Sequence, residues 1–298
     1  MIKEISIKDI LKFLNKEKEE YSFVGCSEES ICGFSSLANY IEGSITWIKS
    51  KESISDNIEL NKIKLAVVGE SKDIEIENMI VCNNPKRLFF SILEEFFYEG
   101  LPEQKIGRGT FISDKVKIGK NVIIGHNCTV DGDITIGDNT RIYNNVVLIN
   151  KIKIGENCEI QSGVNIGHDG FAFAENGEKE KRMIKHHGGV EIGNEVYIGG
   201  NSYIERGTLD NTIICDGVKI DGMCTIGHNC YIDKNSSLVG GTILFGSVKI
   251  GKGVHIASAT VKNQIKIDDN AVVGMGSVVI KDVKQYETVA GVPAKVLR

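Results

Sequence analysis

The chain carries six histidines, and two of them share one local motif. IGHNC occurs at 124–128, centred on His126, and again at 226–230, centred on His228. An imidazole titrates at about 6.5, so it can take up and return a proton at neutral pH, the chemistry of a general base. For either histidine taken alone, a surface residue making one hydrogen bond is the simpler reading. The eight cysteines are the other reactive groups. No CxxC pair occurs, and Cys128, Cys158, Cys224 and Cys230 recur at one position of a repeat. They read as small buried thiols rather than as disulfides or metal ligands. A zinc-dependent hydration would need three converging histidines, but His186 and His187 are only neighbours in a loop, and no metal site is expected.

The element that must position these residues is a repeat of period six. From Ile106 through Ile112, Ile118 and Ile124 to Ile166, every sixth residue is aliphatic, and the residue four places later is small or β-branched. A period of six suits neither a helix nor one long strand. It suits a short strand that turns a corner every six residues with one aliphatic side chain pointing inward, the pattern of a parallel β-helix. The ladder resumes at Ile192, again at Ile214, and finally at Ile267 to Val279. Its breaks are 26 residues after Ile166, ten after Ile204 and eleven after Ile256. Insertions of this kind leave a solenoid on one face, often the binding face. His126 and His228 each stand two residues past an inward aliphatic, so both face outward. The bore is filled with aliphatic groups, which puts any active site on an outer face, where subunits meet.

Resemblance to hexapeptide-repeat proteins implies a left-handed coil with three sides and about 18 residues per turn, its rungs roughly 4.8 Å apart. Gly246 lies 18 residues after His228, one rung further on the same side. The expected architecture is an α+β N-terminal domain followed by an all-β left-handed parallel β-helix and a short C-terminal tail. Residues 1–100 read as a small α/β domain, with a first helix opened by Ser6 and Asp9 as a capping box and a second after Pro85 that ends near Gly100. Residues 103–285 form the coil with an external loop at 167–191, and 286–298 form the tail. Within that loop Phe171 and Phe173 have no place in the bore, so they pack outside the coil or contact a ligand.

With 41% hydrophobic and 25% charged residues the composition is that of an ordinary soluble protein. The net charge of −5, without a basic run, argues against nucleic acid as a partner. The opening MIKEISIKDILKFL lacks the apolar core of a signal peptide, and no run is long enough to span a membrane, so a cytoplasmic protein is expected.

The run RGTLDNTIICDGVKIDGMCTIGHNCYIDKNSSLVGG at 206–241 resembles the core of the UDP-3-O-acylglucosamine N-acyltransferase family of lipid A (lipopolysaccharide) biosynthesis. DGFAFA at 169–174 is similar to that family's entry into the external loop, GSITWIKS to its uridine-pocket strand, and NNPKRLFFSI to the helix that follows. The resemblance implies His228 as general base, Asp221 as its orienting partner, and the Gly246 N–H as donor to the oxyanion. It implies substrate contacts at Trp47, Asn84, Asp169, Phe171 and Phe173. It also implies a homotrimer and, with no bound cofactor, a thioester co-substrate on acyl carrier protein or coenzyme A, whose acyl group passes to a nucleotide-linked amino sugar. His126 lacks the surrounding family residues and reads as structural.

Three departures point to an alternative. Gln264, at the donor side, stands where the family has histidine. Ser53 stands where a pocket tyrosine is expected, and the ending AGVPAKVLR resembles that of acetyl-CoA-dependent hexapeptide enzymes. The alternative is an N-acetyltransferase using acetyl-CoA or another short acyl-CoA on a nucleotide-linked deoxyamino sugar. A metal hydratase of the γ-carbonic anhydrase kind and a non-catalytic scaffold rank below both.

Overall fold

The computed structural model describes residues 4–55, 58–69, 74–98 and 105–297. It contains two compact units, Met1–Leu101 and Pro102–Arg298. The second helix ends at Phe97 and the ladder is paired from Ile106, whereas residues 99–104, where the boundary between the units is expected, lie outside the described residues.

In the first unit, five short strands form one sheet in the order Ser22–Val24, Met79–Val81, Leu65–Val68, Ser44–Ile48, Gly33–Phe34. Leu65 and Val67 face one core with Ile45 and Ile80, whereas Ala66 and Val68 face another with Ile48 and Ile74, the alternation a strand imposes. Helix α1 (Ile7–Lys16) and helix α2 (Pro85–Phe97) cover the first of these faces through Ile7, Ile10, Leu14, Leu88 and Ile92. Ser6 caps α1 by accepting the Asp9 N–H at 3.1 Å. The Asp9 carboxylate accepts the Ser6 hydroxyl at 2.8 Å, so it closes on the side chain and not, as in a capping box, on the backbone.

The second unit is the left-handed parallel coil. Pairing runs in register from rung to rung, for example Val130 with Leu148, Leu148 with Ile166 and Ile226 with Leu244. Two continuous sheets result rather than three, because Thr129–Ile136 and Val147–Ile154 pass through a corner as single strands and join two faces. The corners explain the composition. Each needs a residue of positive φ, which Asn121, Asn139, Asn157 and Asn235 supply at 55–58°. Asparagine tolerates that region better than other residues with a β-carbon. The bore holds Ile226, Ile232, Leu238 and Leu244, each at most 1% exposed, with the four cysteine slots filled as expected.

The structure corrects the ladder at two points. Val261 pairs with Leu244, so one side of the coil is five residues long and the eleven-residue break contains a hidden rung position. Ile106 and Ile118 are 42% and 41% exposed; they lie on the first coil, where they pair with Ile124 and Ile136 of the second. The tail folds into a strand: Lys295–Val296 pairs antiparallel with Thr288–Ala290. Among the described residues no helix is long and apolar enough to cross a membrane.

Candidate active site

His228 sits at a corner of the coil, just after the strand Thr225–Ile226, and is half-buried. Its backbone N–H donates to Glu205 Oε2 at 2.9 Å. Its ring Nδ1 lies 3.0 Å from Asn229 Oδ1. That amide oxygen also accepts the Thr208 N–H at 3.1 Å and the Thr208 hydroxyl at 2.9 Å, while Asn229 Nδ2 donates to the Asp210 carbonyl at 3.2 Å. These three contacts fix the amide with its oxygen as the acceptor toward the ring. His228 Nδ1 is therefore the donor, and the lone pair of the neutral imidazole is left on Nε2.

Nε2 points at Gly246. A β-carbon built on Gly246 would lie 2.5 Å from Nε2 and 2.6 Å from Cε1, so only glycine leaves room for the ring. Elsewhere the N–H at this corner position is often capped by a side-chain oxygen of the next rung. Lys120 donates to Asp138 at 2.7 Å, Glu156 to Asn194 at 2.8 Å and Lys252 to Asp269 at 2.9 Å. No such cap reaches Gly246, and its N–H makes no hydrogen bond among the described residues. A proton acceptor and an unspent N–H donor thus stand side by side, the pairing acyl transfer requires.

Two of the ladder's breaks build this corner together. The segment 206–211 carries Thr208 and Asp210. The external loop packs back on it, with the His187 N–H donating to the Thr208 carbonyl at 2.7 Å and the Gly189 N–H to Asn211 Oδ1 at 2.7 Å. The loop is anchored where it leaves the coil. Arg206 Nε and Nη2 both lie 2.6 Å from Asp169 Oδ1, and Asp169 Oδ2 accepts the His186 N–H at 3.4 Å. Burial works to raise Asp169, and the Arg206 hydrogen bond and charge together with the His186 N–H outweigh it, holding the carboxyl below its usual range.

The other candidates fall as follows. Asp221 makes no hydrogen bond to His228 within the chain. Its Oδ1 accepts the Gly222 N–H at 2.7 Å and its Oδ2 the Gly240 N–H at 3.0 Å, and the partner that orients His228 here is Asn229. Phe171 is 75% exposed and stacks edge-on with Phe173 at 5.7 Å, outside the coil, with Lys181 Nζ 4.8 Å from the Phe173 ring. Gln264 is exposed, and its N–H donates to the Gly246 carbonyl at 3.0 Å, one rung above the site. His126 accepts the Arg108 N–H on Nδ1 at 2.7 Å, the corner-capping role that Asp138 and Asn194 fill elsewhere. His186, read from sequence only as a loop neighbour of His187, lies beside His228, with ring centroids 5.5 Å apart. Sequence reasoning also passed over Glu205 and Asn229. Asn229 stands inside the repeated IGHNC motif, yet nothing in the motif shows that 206–211 locks its amide. Among the described residues no group of three or more His, Cys, Asp or Glu side chains is placed to hold a metal.

In the N-terminal unit, Trp47 and Asn84 line one open cleft of about 630 Å³ with Lys49, Gly69, Pro85 and Lys86. Asn84 caps α2 by accepting the Arg87 N–H at 3.1 Å. Trp47 and Pro85 supply apolar walls, and Lys49, Lys86 and the start of α2 supply positive charge. Ser53 donates its hydroxyl to the Ser50 carbonyl at 2.5 Å, so it serves its own turn.

Comparison with known proteins places these features in context. Residues 133–168 match the family described as bacterial transferase hexapeptide (six repeats), and residues 196–292 that described as GlmU-like, C-terminal hexapeptide. The UDP-3-O-acylglucosamine N-acyltransferase 1 of Sulfurimonas denitrificans is 36% identical over 84% of this chain and 80% of its own length. That of Delftia acidovorans is 39% identical over 44% of this chain, and the match spans only 39% of that relative. Among solved structures, the UDP-N-acetylglucosamine O-acyltransferase of Moraxella catarrhalis superposes with a TM-score of 0.59 at 27% identity, covering 65% of this chain and 74% of the other.

Proposed function

The chain belongs to the UDP-3-O-acylglucosamine N-acyltransferase family, and on that premise we propose that it transfers an acyl group from a thioester to the amine of a nucleotide-linked amino sugar. The observation that carries this reading is His228 Nε2 set against Gly246, whose N–H has no partner among the described residues. The neutral amine attacks the thioester carbonyl, a C–N bond forms, and charge collects on the carbonyl oxygen, where the Gly246 N–H receives it. His228 Nε2 takes the amine proton. The C–S bond then breaks, and the proton passes from His228 to the departing thiolate, which leaves as a thiol. Asn229 keeps Nδ1 protonated throughout, so that Nε2 alone exchanges the proton.

Under this reading the Trp47 cleft takes the nucleotide, with the base against the indole and the phosphates toward Lys49, Lys86 and the first turn of α2. The donor is a 3-hydroxyacyl group on acyl carrier protein. Asp221 makes no hydrogen bond to His228 within one chain, so an orienting role for it would act through the substrate or across an interface between copies.

A second reading is favoured by the donor side. Gln264, on the rung above Gly246 where the family has histidine, and the ending AGVPAKVLR, which resembles that of acetyl-CoA-dependent hexapeptide enzymes, fit acetyl-CoA or another short acyl-CoA. A free-thiol release assay decides between them. It offers acetyl-CoA, a short acyl-CoA series and 3-hydroxyacyl carrier protein against a panel of nucleotide amino sugars. Turnover with the carrier protein and UDP-3-O-acylglucosamine supports the first reading, and turnover with acetyl-CoA and a deoxyamino sugar nucleotide supports the second. No thiol release with any pair overturns both.

A further inference from the structure

The external loop returns to the His228 corner with a second histidine that the ladder does not contain. His186 is 1% exposed and its ring faces that of His228, with centroids 5.5 Å apart and planes tilted by 37°. The Gly170 N–H donates to His186 Nδ1 at 3.1 Å, so the neutral ring carries its own proton on Nε2. That Nε2 is buried and has no hydrogen-bond partner among the described residues. Buried polar groups are seldom left unpaired, and an exception calls for a role. A leucine would fill the same space without an unsatisfied N–H. What the imidazole adds is an acceptor that stops the loop at Gly170 and a flat face against the ring of His228.

Gly170 shares that arrangement. A β-carbon on it would lie 2.4 Å from Glu205 Oε2 and 2.9 Å from His228 Cδ2, so the loop backbone is pressed against the base. The His228 ring therefore stands in a slot, with Gly246 on one side and Gly170 with His186 on the other. The charged and titratable groups around His186 are Asp169, Arg206, His187 and His228, and on the coil Glu205 accepts the His228 N–H. Burial pushes His186 below the ordinary imidazole value against the pull of Asp169, which keeps this wall uncharged at neutral pH.

We propose that His186 is a positioning residue for the reaction: its Nδ1 anchors the loop at Gly170, and its ring forms the wall that holds His228 with Nε2 toward Gly246. This rests on the reading of His228 as the base. Two roles, anchor and wall, are separable by substitution. His186→Asn keeps an acceptor for the Gly170 N–H but is too short to reach His228, whereas His186→Ala loses both.

The test measures kcat and KM separately in the thiol-release assay for both variants and for His228→Ala. It adds melting temperatures and the histidine ring signals of selectively labelled protein by NMR. The expected result for His186→Asn is a melting temperature near that of the parent, KM nearly unchanged, kcat lower by on the order of tenfold to 10²-fold, and His228 ring signals that shift or broaden. Wild-type kcat with unshifted His228 signals in His186→Asn would overturn the proposal and leave His186 as a loop anchor only. Undiminished turnover in His228→Ala would instead remove the base reading. The ring signals of His228 would still report on the wall, so the two failures are distinguishable.

Discussion

At the scale of single residues, the site depends on two short contacts that a substitution can break without disturbing the coil. Gly246→Ala places a methyl 2.5 Å from His228 Nε2. The backbone there needs no positive φ, so the fold tolerates alanine while the ring is displaced. We expect unchanged melting and a loss of kcat/KM on the order of 10²-fold, measured by thiol release. Asn229 holds φ at 59°, which glycine adopts freely, so Asn229→Gly removes the acceptor of the Nδ1 proton without straining the corner and lets the imidazole populate the wrong tautomer. The expected outcome is a fall in kcat of at least about tenfold, with KM for the nucleotide sugar unchanged.

The loop anchors give a pH dependence whose sign follows from proton binding. Burial depresses His186, and the Arg206 pair, outweighing burial, depresses Asp169. In both cases the unfolded chain binds more protons than the folded one, so stability is present above the unfolded values, about 6.5 and about 3.9, and is lost as the pH falls through the folded ones. Melting temperature should therefore fall on acidification from neutrality, first through His186 and then through Asp169. In His186→Asn the first of these phases should be absent from the melting profile.

At the scale of elements, the coil is a stack of corners and rungs whose requirements differ. Asn139 holds φ at 58° in a corner. Asn139→Val forces a β-branched residue into that region and should cost about 1–2 kcal/mol in urea denaturation, whereas Asn139→Gly should be close to neutral. Ile226→Ala, in the bore two residues before His228, should cost about 2–5 kcal/mol through the cavity it leaves.

The same distinction explains what could be read from the residues alone. Six-residue periodicity is a direct imprint of corner geometry, so the coil, its buried cysteines and its one-rung pairing of His228 with Gly246 were legible. Val261 was not, because a five-residue side breaks the phase that makes the pattern visible. His186 was not either, since it reaches His228 only when the loop folds back, and the Asn229 amide gains its meaning from Thr208 and Asp210. Breaks in the period marked where the site would lie but carried no signal of which side chains would meet there.

At the scale of the molecule, buried aliphatic side chains fill the bore of the coil, and His228 stands on an outer corner. Leu209 is 79%, Met223 69% and Phe245 52% exposed, in the same stretch of chain as the site. The homotrimer that the family resemblance implies would cover such side chains with further copies of the chain. Sedimentation equilibrium should give three times the 32.7 kDa of the chain, and a stable, active monomer would contradict a site shared between subunits.

The central claim is that His228 passes a proton while an amide is made. It is tested most directly by incubating the protein and its His228→Ala variant with 3-hydroxyacyl carrier protein and UDP-3-O-acylglucosamine, then analysing the sugar by mass spectrometry after mild alkali. The expected product keeps, relative to substrate treated with the same alkali, one additional acyl group as an amide, formed by the parent and reduced by the order of 10²–10⁴-fold in the variant. None is expected from a sugar whose amine is already acetylated. An alkali-labile product, equal turnover by the variant, or acylation of the blocked sugar would contradict the claim.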